Sequence, residues 1–383
     1  MTSFLPGNHI QLLRNGTEYF PALEEAINAA QQEIFMETYI YEPDVVGRRI
    51  ATALKRAAAR GVAVSLLLDG FGCKQIPASF VSDLEQGGVE VLFYRPKVSP
   101  WTLRHRRLRR LHRKLVVIDG RVGFVGGINI IDDMNTPRHK APRIDYAVRV
   151  EGMLLAAMRA TMRRLWRRTA WISLRLTSHS NPGSAPVAVG TMQAAFVMRD
   201  NVWHRRDIEL AYLEAIENAR TEIVIANSYF LPGIRFRRAL IAARRRGVRV
   251  ILLLQARVEY LLLDFASHAL YAQFLAADID IFEYHASFMH SKVAVIDSTW
   301  ATIGSSNIDP FSLLLAREAN MVVKDAGFAA ELRQDIEQTI LSGAHQVATE
   351  NWEHGHWLRR ILSWAAYGIV RGSLGIIGYQ DRG

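Results

Sequence analysis

The chain has 383 residues, 50% of them hydrophobic and 22% charged, a balance that excludes intrinsic disorder and leaves room for two domains, each able to bury its own core. A single cysteine, Cys73, excludes an intramolecular disulfide and a cysteine-rich zinc site, and fits a reducing compartment. The net charge of +10 calls for an anionic partner, either nucleic acid or an anionic membrane face.

At the amino terminus, Met1 to Pro6 carries no basic stretch followed by an apolar run, so no secretory signal is expected there. No stretch has the roughly 18 apolar residues that a membrane-spanning helix needs. Ala26 to Glu33 reads as the end of a helix running into a strand, Ile34 to Tyr39. A second helix stops at Gly61, a C-cap, and enters the buried strand Val62 to Leu68. From Lys97 to Lys114 there are eight Lys or Arg and no acid. Leu115 to Ile118 is a buried strand, and Arg159, Arg163, Arg164, Arg167 and Arg168 follow further on.

Ser178 to Pro186 is turn-rich and is read as a linker. Beyond it the same elements return. Ala215 to Glu222 repeats the helix end, Ile223 to Ser228 the strand, and Arg244 to Leu254 the helix, glycine cap (Gly247) and apolar strand. Val293 to Ile296 repeats the short buried strand. The chain is therefore divided into 1–183, 184–345 and a tail, 346–383, with no counterpart in the first half. Helix and strand alternate throughout, which argues for α/β sandwiches with helices on the sheet faces.

One motif recurs inside this duplication. His112-Arg113-Lys114, four apolar residues, Asp119 and Gly126-Gly127-Ile128-Asn129 match His290-Ser291-Lys292, four residues, Asp297 and Gly304-Ser305-Ser306-Asn307, gap for gap. His and Lys two apart on a strand share a face, presenting an imidazole and an ammonium to one pocket. The Gly127 and Ser305 positions let backbone approach an anion, and Asn129 and Asn307 add amide donors. Two such sets point to one phosphate-handling site built from two halves. No cysteine or carboxylate stands near either histidine at metal-ligand spacing, so a metal-free, cofactor-free mechanism is expected, with activity that survives a chelator.

These residues resemble the phospholipase D superfamily, whose duplicated motif is His-x-Lys-x4-Asp-x6-Gly-[Gly/Ser]-x-Asn. Within it the chain is similar to bacterial cardiolipin synthases, especially the shorter B type, over residues 8 to 345. Supporting stretches include Asn8 to Leu13, Leu68-Asp69-Gly70, Met198 to Asn201, Ala226 to Gly233 and Trp300 to Asn307. The resemblance implies two homologous α/β sandwich domains with one active site at their interface, and condensation of two phosphatidylglycerol molecules with release of glycerol. One histidine would form a phosphohistidine while the other moves protons. Family analogy makes His112 the nucleophile and His290 the acid/base, with Lys114, Lys292, Asn129 and Asn307 on the phosphate oxygens. Asp119 and Asp297 complete the catalytic motif, although at strand ends each is expected to orient backbone or a basic partner. Family histidines lean on an acid further along the chain, and Asp145 and Glu318 follow their respective motifs at suitable places.

A lipid substrate implies an anionic bilayer as partner, reached from the cytoplasmic face of the bacterial inner membrane as a peripheral protein. Trp101, Arg104, Arg106 and Arg107 in the first basic run, and Trp357, Arg359, Arg360 and Trp364 in the tail, are the expected membrane contacts. Val258 to Phe265 is a second apolar candidate, for a lid or for the core. No nucleic acid is expected, although the basic runs would also suit it. A hydrolase using water, whether lipase, phosphodiesterase or nuclease, is the alternative within the superfamily. A catalytically silent scaffold is the remaining reading, and both intact motifs stand against it. Oligomeric state is left open.

Overall fold

The computed structural model describes residues 2–96, 109–136, 139–175, 185–200, 203–256, 261–309, 316–348 and 362–369. In the first half, strand β1 (Leu5–Arg14) leads through α1 (Asn15–Ala29) to β2 (Glu33–Thr38), α2 (Val45–Ala59) and β3 (Ala63–Asp69). Then come α3 (Ala78–Gln86), β4 (Glu90–Tyr94), β5 (Arg110–Leu111), β6 (Lys114–Ile118), β7 (Val122–Gly126), β8 (Arg143–Ile144), β9 (Tyr146–Gly152) and α4 (Leu155–Ile172). The second half runs β10 (Met192–Arg199), α5 (Asp207–Asn218), β11 (Glu222–Asn227), α6 (Ile234–Arg245), β12 (Arg249–Gln255), α7 (Leu261–Leu275) and β13 (Asp280–Tyr284). It closes with β14 (Phe288–Met289), β15 (Lys292–Ile296), β16 (Trp300–Gly304), β17 (Ala316–Lys324), α8 (Ala326–Gly343) and β18 (Ala344–Gln346).

The main sheet is ordered β18-β13-β12-β11-β15-β16-β17-β10-β1-β9-β7-β6-β2-β3-β4. Read outward from the antiparallel β1–β10 pair, the two sides repeat one another strand for strand as far as β4 and β13, with β18 added beyond β13, so the sequence duplication is a structural two-fold. In each half the runs β2–β3–β4 and β11–β12–β13 are parallel, and the central strands β3 and β12 carry the long apolar stretches, Leu66–Leu68 and Val250–Leu254, of strands buried on both faces. Both expected glycine caps form. Gly61 and Gly247 take φ of +90° and +91°, and the following Val62 and Val248 donate back to Ala57 and Ala243 at 3.2 Å, closing the helices. An added Cβ would meet nothing within 4 Å at either, so backbone conformation alone selects glycine there.

Two outer cores lie under α1–α3 and under α5–α7, one per half. The inner face is different. Met158 and Leu165 of α4, Leu332 and Ile336 of α8, and inward residues of strands from both halves form one continuous cluster. The expectation of two domains with separate cores therefore holds only for the outer faces, because the paired β1 and β10 carry one sheet and one inner core across the molecule. The boundary at 345/346 falls inside β18, which pairs with β13 and is followed by a further hydrogen bond from Val347 to Ile281. The expected linker lies outside the described residues up to 184.

Candidate active site

Lys114 opens β6 and Lys292 opens β15, and both strands run antiparallel to a neighbour, β2 and β11. Each motif thus begins at the carboxyl end of the parallel strands, where open α/β sheets place ligands. Two short parallel pairings then cross between the halves. Arg110–Leu111 lies beside Ala316–Arg317, and Phe288–Met289 beside Arg143–Ile144. Backbone bonds extend them: His112 and Arg113 N–H donate to the Arg317 carbonyl (3.0 and 2.9 Å), and His290 N–H to that of Ile144 (2.7 Å).

The next residue on each side is a histidine facing a carboxylate of the other half. His112 Nδ1 lies 2.9 and 3.1 Å from the two oxygens of Glu318, and His290 Nδ1 is 2.6 Å from Asp145 Oδ2. The expected pairing within each half is corrected to a crossed one. Because Nδ1 of each imidazole is taken by a carboxylate, Nε2 is the nitrogen left for chemistry. The lysines are held by their own turns: Lys114 Nζ donates to the His112 carbonyl at 2.6 Å, and Lys292 Nζ to that of His290 and to Ser228 Oγ.

Several expected phosphate ligands are used otherwise. Gly127 N–H is taken by the Tyr146 carbonyl, and a Cβ at Gly127 would lie 2.2 Å from Asp145 Oδ1. The equivalent Ser305 donates its N–H to the Ala319 carbonyl and its hydroxyl to Glu318 Oε2 at 2.5 Å. Both positions seat the acids. Asn129 Oδ1 accepts from Ile40 N–H and Asn307 Oδ1 from Ser228 Oγ, which turns the amide NH2 of each to the other side. Asp119 and Asp297 stand at the far ends of β6 and β15. Asp119 accepts N–H bonds from Gln31, Gln32 and Glu33, and Asp297 from Arg220, Thr221 and Glu222, so both fasten backbone and neither joins the site.

Burial sets the protonation of the rest. It lowers the Lys114 ammonium to about 7, with Lys292 opposing its charge and Glu318 and Asp145 favouring it. Lys292 falls to about 8 for the same reason, partly offset by Asp145 and Glu318. The Asp145 carboxyl rises to about 6. His290 is pushed well below the ordinary imidazole value by burial, then by Lys292, Lys114 and Arg143, so at neutral pH it is uncharged. An anionic phosphodiester between the lysines would favour their charged forms.

A family model described as "Cardiolipin synthase, PLD-like domain" matches residues 23–140 and 212–340, which together hold both histidines and Glu318, with Asp145 just past the first segment. The cardiolipin synthase B of Salmonella typhimurium (strain LT2) is 38% identical over 97% of this chain and 90% of its own length. That of Escherichia coli (strain K12) is 37% identical over 98% and 91%. The chain belongs to the cardiolipin synthase family of phospholipase D-like proteins. Cardiolipin synthase A of Pseudomonas fluorescens is 32% identical over 93% of this chain and 73% of its own length. Among solved structures, the phosphatidylserine synthase of Haemophilus influenzae superposes with a TM-score of 0.68 at 12% identity, over 98% of this chain and 95% of that one, a likeness of fold.

Some residues of this cardiolipin synthase-like site were not singled out by motif reading. Tyr39 packs edge-on to His112 (ring centroids 4.7 Å apart) and lies 5.4 Å from Lys114 Nζ. Ser228, at the equivalent position, links Lys292 to Asn307. Both end the duplicated strands, which was the available signal. Arg113, between His112 and Lys114, makes a buried two-bond ion pair with Glu37. Of the expected membrane contacts, Trp101, Arg104, Arg106, Arg107, Trp357, Arg359 and Arg360 lie outside the described residues. Trp364 sits on a short helix, 362–369, and is 53% exposed. That helix packs on the second-half core through Ser363, Ala366 and Tyr367, whose hydroxyl accepts from Arg237 at 3.0 Å. Of Val258 to Phe265, Phe265 packs on the same core and Leu262 is 45% exposed. Among the described residues no helix is long and apolar enough to cross a membrane.

Proposed function

We propose that this protein transfers a phosphatidyl group from one phosphatidylglycerol to a hydroxyl of a second, releasing glycerol, while bound peripherally to the cytoplasmic face of the cell membrane. The observation that carries the reading is the crossed pair of histidine–carboxylate contacts set around two buried lysines. His290, neutral and oriented by Asp145, attacks phosphorus through Nε2. The P–O bond to the leaving glycerol breaks as His112, oriented by Glu318, gives that oxygen a proton. The hydroxyl of the acceptor lipid then attacks phosphorus, its proton passes to His112, and the P–N bond to His290 breaks. This order reverses the one drawn from family analogy. Its grounds are electrostatic, since two ammonium groups and Arg143 oppose a proton on His290. Lys114, Lys292 and the amides of Asn129 and Asn307 are positioned to stabilise the phosphoryl oxygens.

Support for membrane contact comes from the helix 362–369, which docks by its small residues and turns Leu362, Trp364 and Ile369 outward. The decisive experiment incubates the full-length protein with phosphatidylglycerol vesicles and resolves products and covalent adducts by mass spectrometry. Cardiolipin and glycerol, with a phosphatidyl adduct on His290 and neither in His290→Ala, are the expected result. Phosphatidate alone would make water the acceptor, and an adduct on His112 would restore the opposite order.

A further inference from the structure

A cavity of about 130 Å³ opens between the end of β4 and the last turns of α4, beside the motif of the first half. Arg95, Arg109, Arg168 and Arg317 converge on it, and among the described residues its lining contains no carboxylate. Among the described residues Arg95, Arg168 and Arg317 make no ion pair. The carboxyl end of α4 contributes roughly half a negative charge. The guanidinium groups of Arg95, Arg168 and Arg317 outweigh that, leaving a site with strong preference for an anion.

The wall is built, not incidental. Arg95 adopts φ +52°, a conformation that costs a non-glycine residue about 1 kcal/mol or more and is kept where surroundings enforce it. Gly70 makes room for it, since a Cβ there would lie 2.6 Å from the Arg95 carbonyl oxygen and from Pro96 Cα. Tyr94 lies under the Arg95 guanidinium, 5.5 Å from ring centroid to Cζ, and its hydroxyl accepts from Arg317 Nε at 3.4 Å. Leu165 and Ile172 add an apolar side suited to the carbons of an esterified glycerol.

The cavity is tied to the chemistry through one residue. Arg317 lends its side chain to the cavity, its carbonyl to the N–H groups of His112 and Arg113, and its neighbour Glu318 to the His112 ring. In the reaction proposed above, His112 is the group that takes the proton from the acceptor. A phosphatidylglycerol acceptor brings a second phosphate that does not react and that needs its own cationic partners once out of water.

We infer that this arginine cavity binds the phosphodiester of the acceptor lipid, next to the reacting phosphate held between the two histidines. The inference rests on the transferase reading. Acceptance of lipid over water would then depend on the cavity, whereas cleavage of the donor would not.

The test uses Arg168→Gln, alone and with Arg95→Gln. Arg168 is exposed on α4, so the single variant should fold as the wild type does, which a melting curve checks. Wild type and variants act on phosphatidylglycerol in mixed micelles, and the cardiolipin-to-phosphatidate ratio is measured against lipid concentration. The expected result is a fall in that ratio of about tenfold for the single variant, the weight of one charge-assisted contact, with donor consumption retained. An unchanged ratio, or equal loss of both products, would overturn the acceptor site while leaving the transferase reading intact. A wild type that makes only phosphatidate would overturn both. Inorganic phosphate separates the possible anions. If millimolar phosphate gives the wild type the ratio of the variant and leaves the variant unmoved, the cavity takes free phosphate and the lipid assignment fails.

Discussion

Asp145 shows how much one side chain decides. It accepts from Tyr146 N–H at 2.9 Å and from His290 Nδ1 at 2.6 Å, and it occupies space that only a glycine at 127 leaves open. Asp145→Asn presents an amide donor to Nδ1 and favours the wrong tautomer. The turnover number should fall roughly 10²- to 10⁴-fold with little change in KM or melting temperature. A change in KM alone would mean that Asp145 acts through binding. Asp297, grouped with the catalytic set by its motif, belongs instead to folding. Burial pushes its carboxyl up, but the N–H donors of Thr221, Glu222 and Arg220 and the Thr221 hydroxyl outweigh this and hold it below the usual range. A folded value below the unfolded one gives stability that is complete above the unfolded value, about 3.9, and is lost as pH falls through the folded value. Asp297→Asn should therefore melt lower at neutral pH, and the gap to wild type should narrow below about pH 4. Activity per folded molecule should not change; a catalytic loss at constant stability would return Asp297 to the site.

Elements explain why the acids cross. The two-residue pairings β5 with β17 and β14 with β8 fix the register, and the residue after each is a histidine opposite the acid of the other half. No helix or strand periodicity announces segments that short, so the crossing could not be read from spacing. The duplicated glycine-capped helices and apolar strands could, because a left-handed glycine and a buried run are local requirements. One element contact breaks the internal symmetry. The Arg113–Glu37 pair, almost fully buried, stands where the second half has Ser291 and Ala226. Arg113→Ser leaves a buried carboxylate alone and should cost about 3–5 kcal/mol. Adding Glu37→Ala copies the second half and should recover most of it. A double variant no more stable than the single one, by denaturant melts, would show that the pair does more than neutralise itself.

At the scale of the whole molecule, one sheet and one inner core hold both halves in fixed relation, and a site composed of two halves needs that rigidity. The molecule also carries a means for reaching lipid. The helix 362–369 is anchored by Tyr367 to Arg237 and exposes Leu362, Trp364 and Ile369, while the chain bears a net charge of +10. Binding to phosphatidylglycerol vesicles should weaken with added salt, and Trp364→Ser with Ile369→Ser should reduce it by about tenfold or more. Turnover of a detergent-dispersed short-chain lipid should be unaffected. Equal sedimentation of wild type and variant with vesicles would remove this helix from the membrane contact.

The sequence by itself determined the duplication, the α/β class, the glycine-capped helices, the two His-x-Lys motifs and the family. All are set by residues close together in the chain or by a pattern repeated along it. Only the tertiary structure decided that each acid serves the histidine of the other half, that Gly127 and Ser305 seat acids, that Asp119 and Asp297 fasten distant backbone, and that four arginines share a cavity. These are contacts between residues tens to hundreds of positions apart, fixed by strand register and shared burial. The charge states of His290 and the lysines follow from the same cause, because burial is a property of the folded chain.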